Sequence, residues 1–97
     1  MIVTLTYVEP DGLKLSLRCR RKGGEVWFHL RDMRSCLGVH KQAIMFEAVN
    51  VRSFNDETHV KVQGVKRLFD ACAGFEQSQH FIGWFNETVL GEQAVSK

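Results

Sequence analysis

Twelve residues, Trp27-Phe28-His29-Leu30-Arg31-Asp32-Met33-Arg34-Ser35-Cys36-Leu37-Gly38, constrain the fold more than any other stretch of this chain. Val26 and Phe28 alternate with Trp27 and His29, which is the period of a strand covered on at least one face. The period then changes: Leu30, Met33 and Leu37 recur at spacings of three and four, as one helix face requires. Gly38 follows, where a left-handed residue ends a helix without a side-chain clash. A strand ending, a helix start and a helix stop so close together predict a short helix locked onto a sheet.

Upstream, Val3, Leu5 and Tyr7 alternate with Thr4 and Thr6, and Glu9-Pro10-Asp11-Gly12 has turn chemistry. Residues 13–20 alternate more cleanly, predicting Leu13, Leu15, Leu17 and Cys19 inward and Lys14, Ser16, Arg18 and Arg20 outward. Lys22-Gly23-Gly24 marks the next turn, so the first third is expected to be a three-stranded antiparallel meander. Further on, a helix is expected over residues 40–49 on Ala43, Ile44 and Phe46. Another is opened by Gly64, with Val65, Leu68, Phe69 and Cys72 as its face, and ended by Gly74. The last is capped by Ser78 and carries Phe81, Trp84, Phe85, Thr88 and Val89 as a stripe. Asn55-Asp56-Glu57, between two short β-prone runs, predicts a second small hairpin near 51–62. The expected class is α+β: an N-terminal antiparallel β-meander packed against a cluster of about four short helices.

A chain of 97 residues, 44% hydrophobic and 25% charged, suits one compact domain rather than two or a disordered segment. Residues 1–97 are therefore read as a single domain with a frayed polar tail at 91–97. No apolar run approaches the ~20 residues of a membrane-spanning helix. No basic segment followed by an apolar stretch opens the sequence, so no signal peptide is expected. Cys19, Cys36 and Cys72 are odd in number and fall at apolar periodic positions, the pattern of reduced thiols in an intracellular protein.

Three blocks then occur in order: Trp27-Phe28 with Asp32 and Leu37-Gly38; Gly64-Val65-Lys66-Arg67-Leu68-Phe69; and Phe81-Ile82-Gly83-Trp84-Phe85-Asn86-Glu87-Thr88-Val89-Leu90. Together they resemble the Bro-N domain, the N-terminal module of baculovirus BRO proteins and many phage antirepressors. The resemblance spans about residues 24 to 90. Gly91 stands where the family usually has proline, and the stretch 39–59 diverges. The resemblance implies a small viral or phage α+β module that binds DNA, acting in the host nucleus or cytoplasm.

Net charge is only +2, so the distribution of the cations matters more than their sum. Lys14, Arg18, Arg20, Arg21 and Lys22 fall within nine residues with no acid among them, and alternation puts Lys14, Arg18 and Arg20 on one side. Such a row lies along duplex phosphates or in a groove. Taken alone, it suits a solvated sheet face at least as well; the resemblance moves the reading to DNA. Arg31 and Arg34, joined by Lys41, form a second basic group, with Asp32 expected to pair with one of them or to complement the helix dipole. The alternative is a protein-interaction or homodimerisation module with little intrinsic DNA affinity. Phe75, Phe81, Ile82, Trp84, Phe85, Val89 and Leu90 offer more apolar surface than one helix stripe needs, and a homodimer would hide the excess.

Nothing in the pattern points to catalysis. His29, His40, His59 and His80 are dispersed and have no nucleophile signature beside them. Cys36 and His40 are four apart, but Gly38 interrupts the helix between them and no second ligand pair follows. No phosphate-cradling glycine loop is present. No enzyme activity, cofactor, metal, membrane or small-molecule substrate is expected.

Overall fold

The computed structural model describes residues 2–39 and 44–90. Among these residues five antiparallel strands form one sheet: β1 (Ile2–Val8), β2 (Lys14–Lys22), β3 (Glu25–His29), β4 (Val51–Phe54) and β5 (Glu57–Lys61), in the order β1-β2-β3-β5-β4. Three α-helices are described: α1 (Leu30–Leu37), α2 (Val62–Ala71) and α3 (Glu76–Trp84). The α3 chain continues as a π-helical segment, Phe85–Leu90. The α+β class, the three-stranded meander and the hairpin near 51–62 agree with expectation. The second hairpin does not stand apart, however: it joins the meander through β3 and β5, with Phe28 opposite Val60.

Turn chemistry sets the registers. Gly23 and Gly24 both have positive φ, 62° and 78°, as do Asn55 and Asp56 at 51° and 64°. Two consecutive left-handed residues make a turn whose twist matches the strands it joins. At the end of β3 the His29 ring accepts the Asp32 N–H at 3.3 Å and so caps α1, and Gly38 at φ 77° closes that helix.

The helices bury one face of the sheet. Tyr7, Leu17, Phe28 and Val60 meet Met33, Cys36 and Leu37 of α1, Val65, Leu68 and Phe69 of α2, and Phe81, Phe85 and Val89 of the last helix. Phe85 lies at the centre, its ring 5.1 Å from Phe28, 5.2 Å from Phe69 and 5.9 Å from Phe81. Cys19, Cys36 and Cys72 are free and buried. Among the described residues, no helix is long and apolar enough to cross a membrane.

Several local expectations are corrected. Residues 40–43 lie outside the described residues, and 44–47 form no helix; only Ala48–Asn50 makes a 3₁₀ turn before β4 begins. Ala43, Ile44 and Phe46 never had true helical spacing, and Met45 and Val49 face solvent. Leu13 is 55% exposed because it belongs to the turn rather than to β2. The α2 helix starts at Val62, ahead of Gly64, and is capped by Cys72, ahead of Gly74. Phe75, not Ser78, is the N-cap residue of α3. Ser78 is buried, and its hydroxyl donates to the Leu37 carbonyl at 2.6 Å, tying α3 to α1. Thr88 is exposed, because the wider π turn carries Phe85 and Val89 inward instead.

Candidate nucleic-acid interface

Strand alternation sends Lys14, Ser16, Arg18, Arg20 and Lys22 of β2 to the sheet face away from the helices. Register adds Glu25, Trp27 and His29 of β3, Glu57, His59 and Lys61 of β5, and Arg52 and Phe54 of β4 to the same face. This face has a small aromatic centre of its own. Trp27 and Phe54 are both buried, with their rings 6.0 Å apart. Cations cover them: the Arg20 and Arg52 guanidinium carbons lie 4.9 and 5.1 Å from the Phe54 ring centre, and Lys61 Nζ lies 5.9 Å from that of Trp27. At these distances the ring faces attract the charges. Trp27 is therefore buried beneath cations instead of beneath helices. The indole N–H of Trp27 and Nε of Arg20 are buried and have no hydrogen-bond partner among the described residues.

Beside this patch lies a network built by the premature end of β3. Where β3 gives way to α1, the N–H of Arg18 on β2 loses its strand partner. Asp32 replaces it: one carboxylate oxygen accepts the Arg18 N–H at 2.9 Å and Nε at 2.8 Å, and the other accepts Nη2 at 3.0 Å. Arg18 also lies 3.6 Å from Glu57, whose carboxylate bonds His29 Nε2 at 2.6 Å. Burial alone would raise the Asp32 carboxyl, but the bonds from Arg18 and the nearby His29 hold it below its ordinary 3.8. The bond to His29 likewise draws Glu57 down.

His59 is buried against His29, with ring centres 5.2 Å apart, and its Nδ1 bonds the Glu57 carbonyl oxygen at 2.9 Å. Burial pushes its pKa below 6.5, and the charges of His29 and Arg20 add to this, outweighing that bond. A histidine depressed on folding gives stability that is complete above the unfolded pKa and is lost as pH falls through the folded one. Acidifying from pH 7.5 to 5.5 is thus expected to lower the melting midpoint of the protein, and His59→Gln to flatten that slope. An identical pH profile in the variant would remove His59 as the cause.

Of the eight cations singled out in the sequence, the seven that lie among the described residues do not form one ridge. Arg18 is on the expected face but is bound to Asp32, and 43% of its side chain is accessible. Arg20 is half-buried over Phe54. Lys14 and Lys22 are exposed at opposite ends of β2, and Arg21, opposite Val26, is exposed towards the helix side. Arg31 and Arg34 line a groove between α1 and the β4–β5 turn, facing Asp56 and Glu57, and Arg34 donates to the Val39 carbonyl at 3.3 Å. Asp32 pairs with neither of them. Lys41 lies outside the described residues. Arg52 and Lys61 were not singled out, yet they join Arg20 and Lys22 on the outer face. Their parity with Phe54 and His59 was readable within the hairpin; the pairing that sets this hairpin beside β3 was not.

Burial drives the Cys19 and Cys36 thiols up to about 12, which leaves them protonated and unreactive at neutral pH. No family model, curated protein or solved structure matches this chain.

Proposed function

We propose that this is a Bro-N-type module that binds duplex DNA through the outer face of its sheet, and that it serves as a viral or phage regulator or accessory without enzymatic activity. The supporting observation is the placement of Arg20, Lys22, Arg52 and Lys61 from three strands around the Phe54–Trp27 centre. The carboxylates on that face are engaged locally, Glu25 with Lys61 at 3.3 Å and Glu57 with His29. Lys22 and Arg52 are exposed, Arg20 is half-buried over Phe54 and Lys61 is paired with Glu25; the two exposed cations suit closely spaced phosphates, and contacts of this kind position a protein without selecting sequence. Lys14 extends the row towards the β1–β2 turn. Arg18 contributes to the fold and little to phosphate contact.

The test is anisotropy titration of a random duplex across a salt series. Wild-type affinity is expected to fall by about 0.9 log units per decade of salt for each phosphate contact. Lys22→Glu/Arg52→Glu reverses two exposed charges; it is expected to weaken binding more than tenfold and to lower the salt slope by roughly 2. Unchanged affinity in a variant that melts like wild type defeats the assignment. The other reading placed a partner on the last helix. There Phe81, Phe85 and Val89 are buried within the domain, and Phe75, Ile82, Trp84 and Leu90 are half-covered.

A further inference from the structure

The β1 strand lies at one edge of the sheet, and among the described residues its only strand partner is β2. Which of its backbone groups are free follows from two hydrogen bonds. Glu9 N–H donates to the Leu13 carbonyl at 2.8 Å just beyond the Val8–Lys14 pair, so the bonded pairs of the ladder are Tyr7–Leu15, Leu5–Leu17 and Val3–Cys19. The N–H of Arg18 points the other way, to Asp32, which gives the same parity. The N–H and C=O groups of Thr4, Thr6 and Val8 therefore face outward from the sheet.

Sheet edges are normally protected by charge, proline, a bulge or shortness. The opposite edge, β4, has four residues and carries Arg52. The β1 edge has none of these devices. Its seven residues, Ile2-Val3-Thr4-Leu5-Thr6-Tyr7-Val8, contain no charge, proline or glycine, and its register with β2 is unbroken. Val3 and Val8 are 46% and 45% exposed.

The order of residues says what fits this edge. Read from either end about Leu5, the strand repeats by class: Thr4 mirrors Thr6, and Val3 mirrors Tyr7. Laid antiparallel against itself, it places Leu5 on Leu5, Thr4 on Thr6 and Val3 on Tyr7. That centring makes Thr4 and Thr6 of the two copies exchange both backbone bonds, as their outward groups require, and leaves Leu5–Leu5 as the close non-bonded pair. The half-buried Leu5 side chains then meet on the helix side, where Tyr7 is already covered by its own Phe81 and Trp84, Thr meets Thr on the outer side, and no charge opposes another. A strand of unrelated sequence gains no such match.

We propose that β1 is the self-association edge of this protein: two copies pair through it about a two-fold axis centred on Leu5, extending the sheet to ten strands. Because the axis stands perpendicular to the sheet, both outer faces point the same way. The pairing holds whether or not that face meets nucleic acid, since it involves other residues and is measured without DNA.

Sedimentation equilibrium between roughly 5 and 500 µM tests it. The wild type is expected to equilibrate between monomer and dimer at roughly 10–100 µM, as suits a single-strand interface below about 1,200 Å². In Thr4→Glu/Thr6→Glu each glutamate faces another across the axis, and dimerisation is expected to weaken at least tenfold. In Thr4→Lys/Thr6→Glu every lysine faces a glutamate, and affinity is expected to return to within about threefold of wild type. If the charged variants do not fold, Thr6→Pro removes one outward N–H while sparing the bonds to β2, and is expected to leave a monomer. A wild type that stays monomeric at 500 µM overturns the proposal and leaves the edge to another protein's strand. Equal dimerisation, or equal loss of it, in the two double variants overturns the Leu5-centred register.

Discussion

Asp32→Ala is expected to destabilise the domain by about 3 kcal/mol, as read from denaturant midpoints at neutral pH. The side chain is only 13% exposed, and it accepts three bonds, one from the strand backbone and two from a guanidinium. Hydrogen bonds to charged groups contribute roughly 1.5–3 kcal/mol each, and a donor left unsatisfied costs a further 1–3. The partial exposure of Arg18 scales this down, since its guanidinium regains water when released. Asp32→Asn still offers an oxygen to the Arg18 N–H and is expected to recover about half of the loss. The effect depends on pH with a defined sign. A carboxyl depressed on folding stabilises above its unfolded value, here near 3.8, and that contribution is lost as pH falls through the folded value. The gap between wild type and Asp32→Ala should accordingly close below pH 4. A gap that persists undiminished at pH 2 would mean that Asp32 acts by packing alone.

Phe85→Ala is expected to cost more, about 3–5 kcal/mol, the range for deleting a fully buried phenyl ring. Phe85 is fully buried and joins three elements, touching Phe28 of the sheet, Phe69 of α2 and Phe81 of α3. No neighbouring side chain is free to collapse into the vacated space without breaking one of those ring pairs. Against a total stability of about 5–15 kcal/mol, this brings a domain of this size close to unfolding. At roughly 4–8 °C per kcal/mol, the melting midpoint should drop by more than ten degrees. A fall of only two or three degrees would mean that the π-helical segment detaches without disturbing the core.

What the sequence made legible is local. The alternation of β2, the paired glycines at 23 and 24, and the change of period at His29 each concern residues within a few positions of one another, and the structure reproduces them. What it hid depends on pairings across longer stretches. Asp32 reads as a helix-dipole residue until β2 is laid beside α1, fourteen positions away from Arg18. Ser78 reads as a cap until Leu37, forty-one positions upstream, presents its carbonyl. The cationic group on the outer face shows the same division. Its β2 members were visible as an alternating row, whereas Arg52 and Lys61 enter only through the β3–β5 ladder. The stretch before β4 was misread for another reason: apolar content was taken for periodicity, although Ile44 and Phe46 are two apart.

The two guanidinium groups over Phe54 have a consequence for recognition. An arginine free in water samples many rotamers and surrenders that freedom when it grips an anion. Arg20 and Arg52 are already held against a ring that is itself wedged beside Trp27. Less torsional entropy remains for them to lose, so the acidic ligand proposed for this face would meet donors whose positions were fixed when the chain folded.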